Sequence, residues 1–191
     1  MAARQLNGSP AVFLDRDGVL NAAVVVDGRP HPPRSVGEMT LLPGVADACD
    51  RLRAEGFALV CVTNQPDIAR GTTTAEQVDA INQKLVDALQ LDAVAVCPHD
   101  DADKCDCRKP LPGLITQTAD RLGLDLRHSV VVGDRWRDVE AGRRAGLPTV
   151  FIDHDYEERK PDSADAVADS LIEAVPSIIS LSRRAAGVPR E

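Results

Sequence analysis

AVFLDRDG, residues 11–18, sends four apolar residues straight into two aspartates and a glycine. A short, continuously apolar run that ends in a polar turn reads as a strand buried on both faces of a parallel sheet. The pattern recurs: ALVCV (58–62), AVAV (93–96), VVV (130–132) and TVFI (149–152) are further strands of this kind. Stretches with helical spacing lie between them. Residues 44–55 put Val45, Ala48, Cys49 and Leu52 on one face, with Pro43 before them and Gly56 just past the end. Residues 74–89 open on a capping box, Thr74 with Gln77 three positions on, and carry Val78, Ile81, Leu85 and Leu89 as one stripe. Residues 113–122 and 139–145 form shorter helices, and a last one over 164–181 is interrupted or kinked by Pro176. This alternation predicts an α/β fold, a three-layer Rossmann-like parallel sheet with helices on both faces. Residues 21–43, rich in Pro and Gly, read as a long irregular loop.

With 191 residues, 43% of them apolar, the chain is sized for a single domain, its core spanning about residues 10–182. The first nine and last eight residues read as frayed ends. A net charge of -8 with no Lys/Arg block excludes a nucleic-acid partner. No apolar run approaches the roughly 18 to 20 residues a membrane span needs, and no secretory signal opens the chain, so a cytoplasmic protein is expected. Five cysteines do not form a disulfide framework: Cys49 and Cys61 sit in apolar surroundings as small core residues, while Cys97, Cys105 and Cys107 crowd together.

The chemistry gathers at the ends of the strands, where ligands bind in open α/β sheets. Asp15 and Asp17, at i and i+2, can face the same side there, and two such carboxylates call for a divalent cation, a shared proton or a basic neighbour. Thr63, Asn64 and Gln65 end the second strand with a hydroxyl and two amides suited to phosphate oxygens, and Arg70 follows with a positive charge. Cys97 and His99, then Cys105 and Cys107, match a tetrahedral Cys3His zinc site with all four ligands supplied, hence a structural ion that pins a short polar loop. That loop leads directly to Arg108 and Lys109, two cations for a carboxylate or phosphoryl group. After the fourth strand, Asp134 and Asp138 stand at i and i+4 and could both point at a cation. An N-cap role is the competing reading for Asp134.

Taken in order, FLDRDGVLN, VTNQ, CRKP and VVGDRWRD resemble the haloacid dehalogenase superfamily of phosphatases over residues 12–153, and the CPH…CDCRKP insertion resembles its small zinc-containing branch of heptose bisphosphate and histidinol-phosphate phosphatases. The resemblance implies a minimal cap and an aspartyl-phosphate mechanism in which Asp15 is the nucleophile and Asp17 the general acid and base. It implies Mg2+ held by Asp15, the Asp17 backbone carbonyl and Asp134. Thr63 and Lys109 would hold the phosphoryl group, Arg70 and Arg108 would touch the substrate, and Asp138 would support the metal or Lys109. IARG (68–71) resembles the heptose enzymes, whereas the short CPHDDADKCDC loop resembles the histidinol-phosphate ones. The expected partner is a small phosphorylated metabolite, a heptose bisphosphate or similar sugar phosphate being favoured, and the expected state a monomer. Two other classes stay open: a phosphoacceptor signalling domain, which would not need Asp17, and a non-catalytic zinc-bearing interaction module.

Overall fold

In the computed structural model, which describes residues 6–185, the elements in chain order are β1 (Ala11–Leu14), β2 (Val24–Val26), β3 (Arg29–His31), α1 (Val45–Ala54), β4 (Ala58–Asn64), α2 (Ala75–Leu89), β5 (Ala93–Cys97), α3 (Gly113–Leu122), β6 (Val130–Gly133), α4 (Trp136–Arg144), β7 (Thr149–Ile152), β8 (Ala166–Ala168) and α5 (Leu171–Ala185). Six strands form one sheet in the order β5-β4-β1-β6-β7-β8, and every pairing in it is parallel. The chain builds from β1 toward β5, then returns to the other side of β1 and builds toward β8. The reversal opens a crevice beyond the carboxyl ends of β1 and β6.

Period-two alternation divides the strands between two cores. Val12 and Leu14, with Leu59, Cys61, Val130 and Val132, pack under α1, α2 and α5, whereas Phe13, Val60, Val62 and Val131 meet Leu114, Ile115 and Ala119 of α3 and Ala141 of α4. The three layers are those expected. At Thr74 the capping box is present, its hydroxyl accepting from Gln77 N while the Gln77 side chain accepts from Thr74 N. Cys49 and Cys61 are buried core residues, and burial pushes both thiols up to about 12.

Four expectations need correction. Residues 21–43 are not wholly irregular: Asp27 and Gly28, at φ 48° and 71°, make a tight turn that pairs Val24–Val26 with Arg29–His31 as an antiparallel hairpin. The last helix begins at Leu171, where Ser170 accepts from Glu173 N, and residues 166–168 form an edge strand whose three residues are too few to show a pattern. Pro176 lies on the exposed face inside a helix that runs on to Ala185. At the amino end, Gly8 N donates to Gly123 O at 2.7 Å and Leu6 packs on the core, so residues 6–9 are docked; of the expected frayed ends, residues 1–5 and 186–191 lie outside the described residues. No helix among the described residues is long and apolar enough to cross a membrane.

Candidate active site

β1 delivers Asp15 and β6 delivers Asp134 to the crevice from adjacent positions, because the two strands pair directly and Asp15 N continues the ladder by donating to Val132 O at 2.9 Å. Asp138, on the first turn of α4, completes the group: Asp15, Asp134 and Asp138 each offer a carboxylate oxygen within 4.8 Å of the others, and all three are buried. Two glycines make the approach possible. A side chain at Gly18 would start 1.9 Å from Asp134 Oδ2, and one at Gly133 would start 2.1 Å from Asp138 Cβ.

Among the described residues, one cation forms ion pairs inside this cluster. Lys109 Nζ donates to Asp15 Oδ1 at 2.8 Å and to the Val62 carbonyl at 2.8 Å, and it pairs with Asp138. Burial alone would lower the Lys109 pKa, but the carboxylates of Asp138 and Asp15 outweigh it and hold the ammonium charged. One positive charge does not balance three carboxylates. Burial, then the neighbouring Asp138, lifts Asp15 to about 6, and burial, then Asp15, lifts Asp134 well above the ordinary carboxyl value. Both oxygens of Asp134 are buried without a hydrogen-bond partner among the described residues. Orphaned hard oxygen donors beside two further carboxylates suit a divalent cation such as Mg2+, so the residues fit one.

Asp17 points elsewhere. Its carboxylate accepts from Arg16 Nη2 at 3.0 Å, Asn21 Nδ2 at 2.9 Å and Gln65 Nε2 at 2.9 Å, which fixes its orientation at the cavity wall. Arg16 is wholly buried and anchored to Asn82 of α2 at 3.0 Å. Thr63 accepts from Gln65 and lines the same cavity, whose volume is about 300 Å³. Asn64 lines the same cavity and clasps the backbone of Lys109, donating to its carbonyl at 2.9 Å and accepting from its N–H at 3.1 Å. The clasp fixes the backbone at the lysine. The N-cap reading of Asp134 also falls, since the α4 cap is Arg135, whose N–H donates to Asp138 Oδ2.

In the Cys3His cluster, Cys97 Sγ lies 3.7 Å from Cys105 Sγ, 3.3 Å from Cys107 Sγ and 3.6 Å from His99 Nδ1, and His99 Nδ1 lies 3.3 Å from Cys107 Sγ. Tetrahedral zinc with bonds of roughly 2.0–2.3 Å would space its ligands by about 3.6 Å, so these residues fit the ion as four ligands with no position left over. The loop between the ligands also supplies Asp100, which holds Arg70 through two contacts of 2.8 Å, and Asp101, which holds Arg108 at 2.8 Å. Both arginines therefore reach the cavity wall already oriented.

The residues 106–174 match the HAD-hydrolase-like family model. The D-glycero-β-D-manno-heptose-1,7-bisphosphate 7-phosphatase of Yersinia pestis is 37% identical over 180 residues, covering 87% of this chain and 91% of that protein. The enzyme of the same name from Escherichia coli K12 is 36% identical over 177 residues, 85% and 90% of the two chains. The chain belongs to the haloacid dehalogenase-like phosphatases, in their heptose bisphosphate phosphatase branch. Among solved structures, the D,D-heptose 1,7-bisphosphate phosphatase of B. bronchiseptica, complexed with magnesium and phosphate, superposes with a TM-score of 0.76 at 31% identity, covering 90% of this chain and 98% of that one. A putative HAD-like phosphatase from Mesorhizobium loti gives a TM-score of 0.77 at 30% identity, covering 95% and 91%. Of the two activities named with the CPH…CDCRKP resemblance, the heptose bisphosphate phosphatase is the one these relatives are named for.

Several groups at the site of this phosphatase carried no sequence signal. Arg16, inside DRDG, is the residue that alternation sends away from the crevice, yet it orients Asp17. A segment after β7 borders the site: His154 Nε2 lies 2.6 Å from the Gly18 carbonyl, burial and then the nearby Asp134 raise the Tyr156 phenol, and Glu158, which lines the cavity, pairs with Arg135.

Proposed function

We propose that this chain hydrolyses one phosphate ester of a sugar bisphosphate, D-glycero-D-manno-heptose 1,7-bisphosphate, releasing the 7-phosphate. The observation that carries the reading is the contact of Asp15 with Lys109 at 2.8 Å beside the unpartnered Asp134 carboxylate, at the switch point of the sheet. Asp15 attacks phosphorus with its free oxygen as the ester bond breaks, and Asp17 gives a proton to the departing sugar oxygen. In the second half, Asp17 takes a proton from the water that attacks the aspartyl-phosphate, and Asp15 is regenerated. Lys109 offsets the charge on the transferring phosphoryl group, and the Thr63 hydroxyl donates to it. Asp15, Asp134 and the Asp17 carbonyl would hold Mg2+, with Asp138 in support, and the ion would neutralise carboxylate and phosphoryl charge at once. Zinc on Cys97, His99, Cys105 and Cys107 would keep Arg70 and Arg108 in place. Five free cysteines suit a reducing cytoplasm, and we take the working unit to be a single-domain monomer.

The test is phosphate release from a panel of sugar mono- and bisphosphates, histidinol phosphate and nucleotides, with Mg2+ and with chelator. Mg2+-dependent turnover that prefers the heptose bisphosphate is expected. Preference for histidinol phosphate would overturn the substrate, and silence across the panel would overturn the activity.

A further inference from the structure

Arg29 differs from the other cations of the cavity. Lys109, Arg70, Arg108 and Arg135 each hold a carboxylate at hydrogen-bonding distance, and Arg137 has Asp101 at 3.9 Å and stacks on Trp136. Among the described residues, Arg29 has no ion-pair partner, although it lines the same cavity as Asp15 and Lys109. Its position is built rather than incidental. In β3 the alternation buries Pro30 and leaves Arg29 and His31 exposed, and all three border the cavity. The hairpin that carries them is closed by the tight Asp27-Gly28 turn and tied down at its tip, where Glu157 N donates to the Gly28 carbonyl at 3.0 Å. A side chain at Gly28 would start 2.8 Å from Glu157 carbons, so the tip and the segment after β7 are in close contact.

A guanidinium bordering a cation-rich cavity, with its donors uncommitted among the described residues, is suited to a planar, bidentate grip on a phosphate. The site at Asp15 and Lys109 takes one phosphoryl group and leaves the other end of a bisphosphate to the remaining cations of the cavity, of which the arginine without an ion-pair partner among the described residues is Arg29. We propose that Arg29 is the anchor for that distal phosphate and so the residue that separates bisphosphate from monophosphate substrates. The proposal rests on the bisphosphate reading above.

The experiment measures equilibrium dissociation constants of the heptose 1,7-bisphosphate and the heptose 7-phosphate, with Mg2+, on full-length protein carrying Asp15→Asn to prevent turnover. Adding Arg29→Gln should weaken the bisphosphate about tenfold and leave the 7-phosphate within about twofold, with Arg29→Lys in between. Unchanged binding of the 7-phosphate also certifies the fold. Equal weakening of both ligands, or no change in either, overturns the subsite. Selective weakening together with a wild-type protein that hydrolyses neither sugar would sink the phosphatase reading and keep the subsite. Efficient hydrolysis without selectivity at Arg29 would do the reverse.

Discussion

Two clusters of metal-ligand type lie at the carboxyl edge of one sheet and solve opposite problems. Asp15, Asp134 and Asp138 are buried hard oxygens converging from two strand ends and a helix start, with more negative charge than Lys109 balances and with two orphaned oxygens. Cys97, His99, Cys105 and Cys107 are soft donors on one stretch of eleven residues, spaced so that they satisfy one another around a tetrahedron. The first arrangement is poised because it is unsatisfied. The second would be inert once zinc completed it, and the ion would serve there to shape a loop that has little core of its own. Electrostatic frustration thus marks the reactive end of the molecule and ligand saturation marks its scaffold.

The strongest attempt to break this division is Asp15→Asn. Turnover should fall at least about a thousandfold, while zinc content by elemental analysis stays at about one ion per chain. Activity within tenfold of wild type would remove Asp15 from the chemistry. Next in size is Cys107→Ser, which should empty the zinc cluster, lower the thermal midpoint by roughly 5 °C or more, and reduce turnover as Arg108 and Arg70 lose their holders. The affinity for Mg2+, followed by calorimetry, should stay within about twofold, since none of its ligands touches the zinc loop. If Mg2+ binding collapsed with the zinc, the clusters would be one unit.

The smallest effect sharpens the electrostatic side. Asp15 is raised from an ordinary 3.8 to about 6 by burial and by Asp138, and Asp134 is raised well above the ordinary carboxyl value by burial and by Asp15. A carboxyl with a raised folded pKa holds its proton more tightly folded than unfolded. Its contribution to stability is therefore present below the unfolded value near 4 and is lost as the pH rises through the folded value. Metal-free protein should melt a few degrees lower at pH 8 than at pH 5, and millimolar Mg2+ should remove that slope. A metal-free midpoint that rises over the same interval would show that the carboxylates are already compensated.

The sheet and the two clusters were legible because each rests on local pattern. Apolar runs buried on both faces announce β1, β4 and β6, and a parallel strand must end where Asp15 and Asp134 stand. What stayed hidden depends on partners distant in sequence. The anchoring of Arg16 depends on Asn82, 66 positions on, which accepts from it. The clasp of Asn64 on the backbone of Lys109, 45 positions on, likewise has no local sign. The hairpin had a signal in Asp27-Gly28, a dipeptide whose two positive φ angles favour a two-residue turn, but Pro30 in the returning strand argues against a strand there. Ala166–Ala168 is too short, with Val167 63% exposed, to have announced itself.

The bond from Glu157 to Gly28 joins the two walls of the cavity mouth, which are encoded about 130 residues apart. Anyone regrafting this enzyme for a new sugar should therefore treat residues 22–42 and 153–163 as one cassette. Exchanging either half alone would leave a seam at Gly28, whereas exchanging both would carry a matched rim onto an unchanged reactive floor.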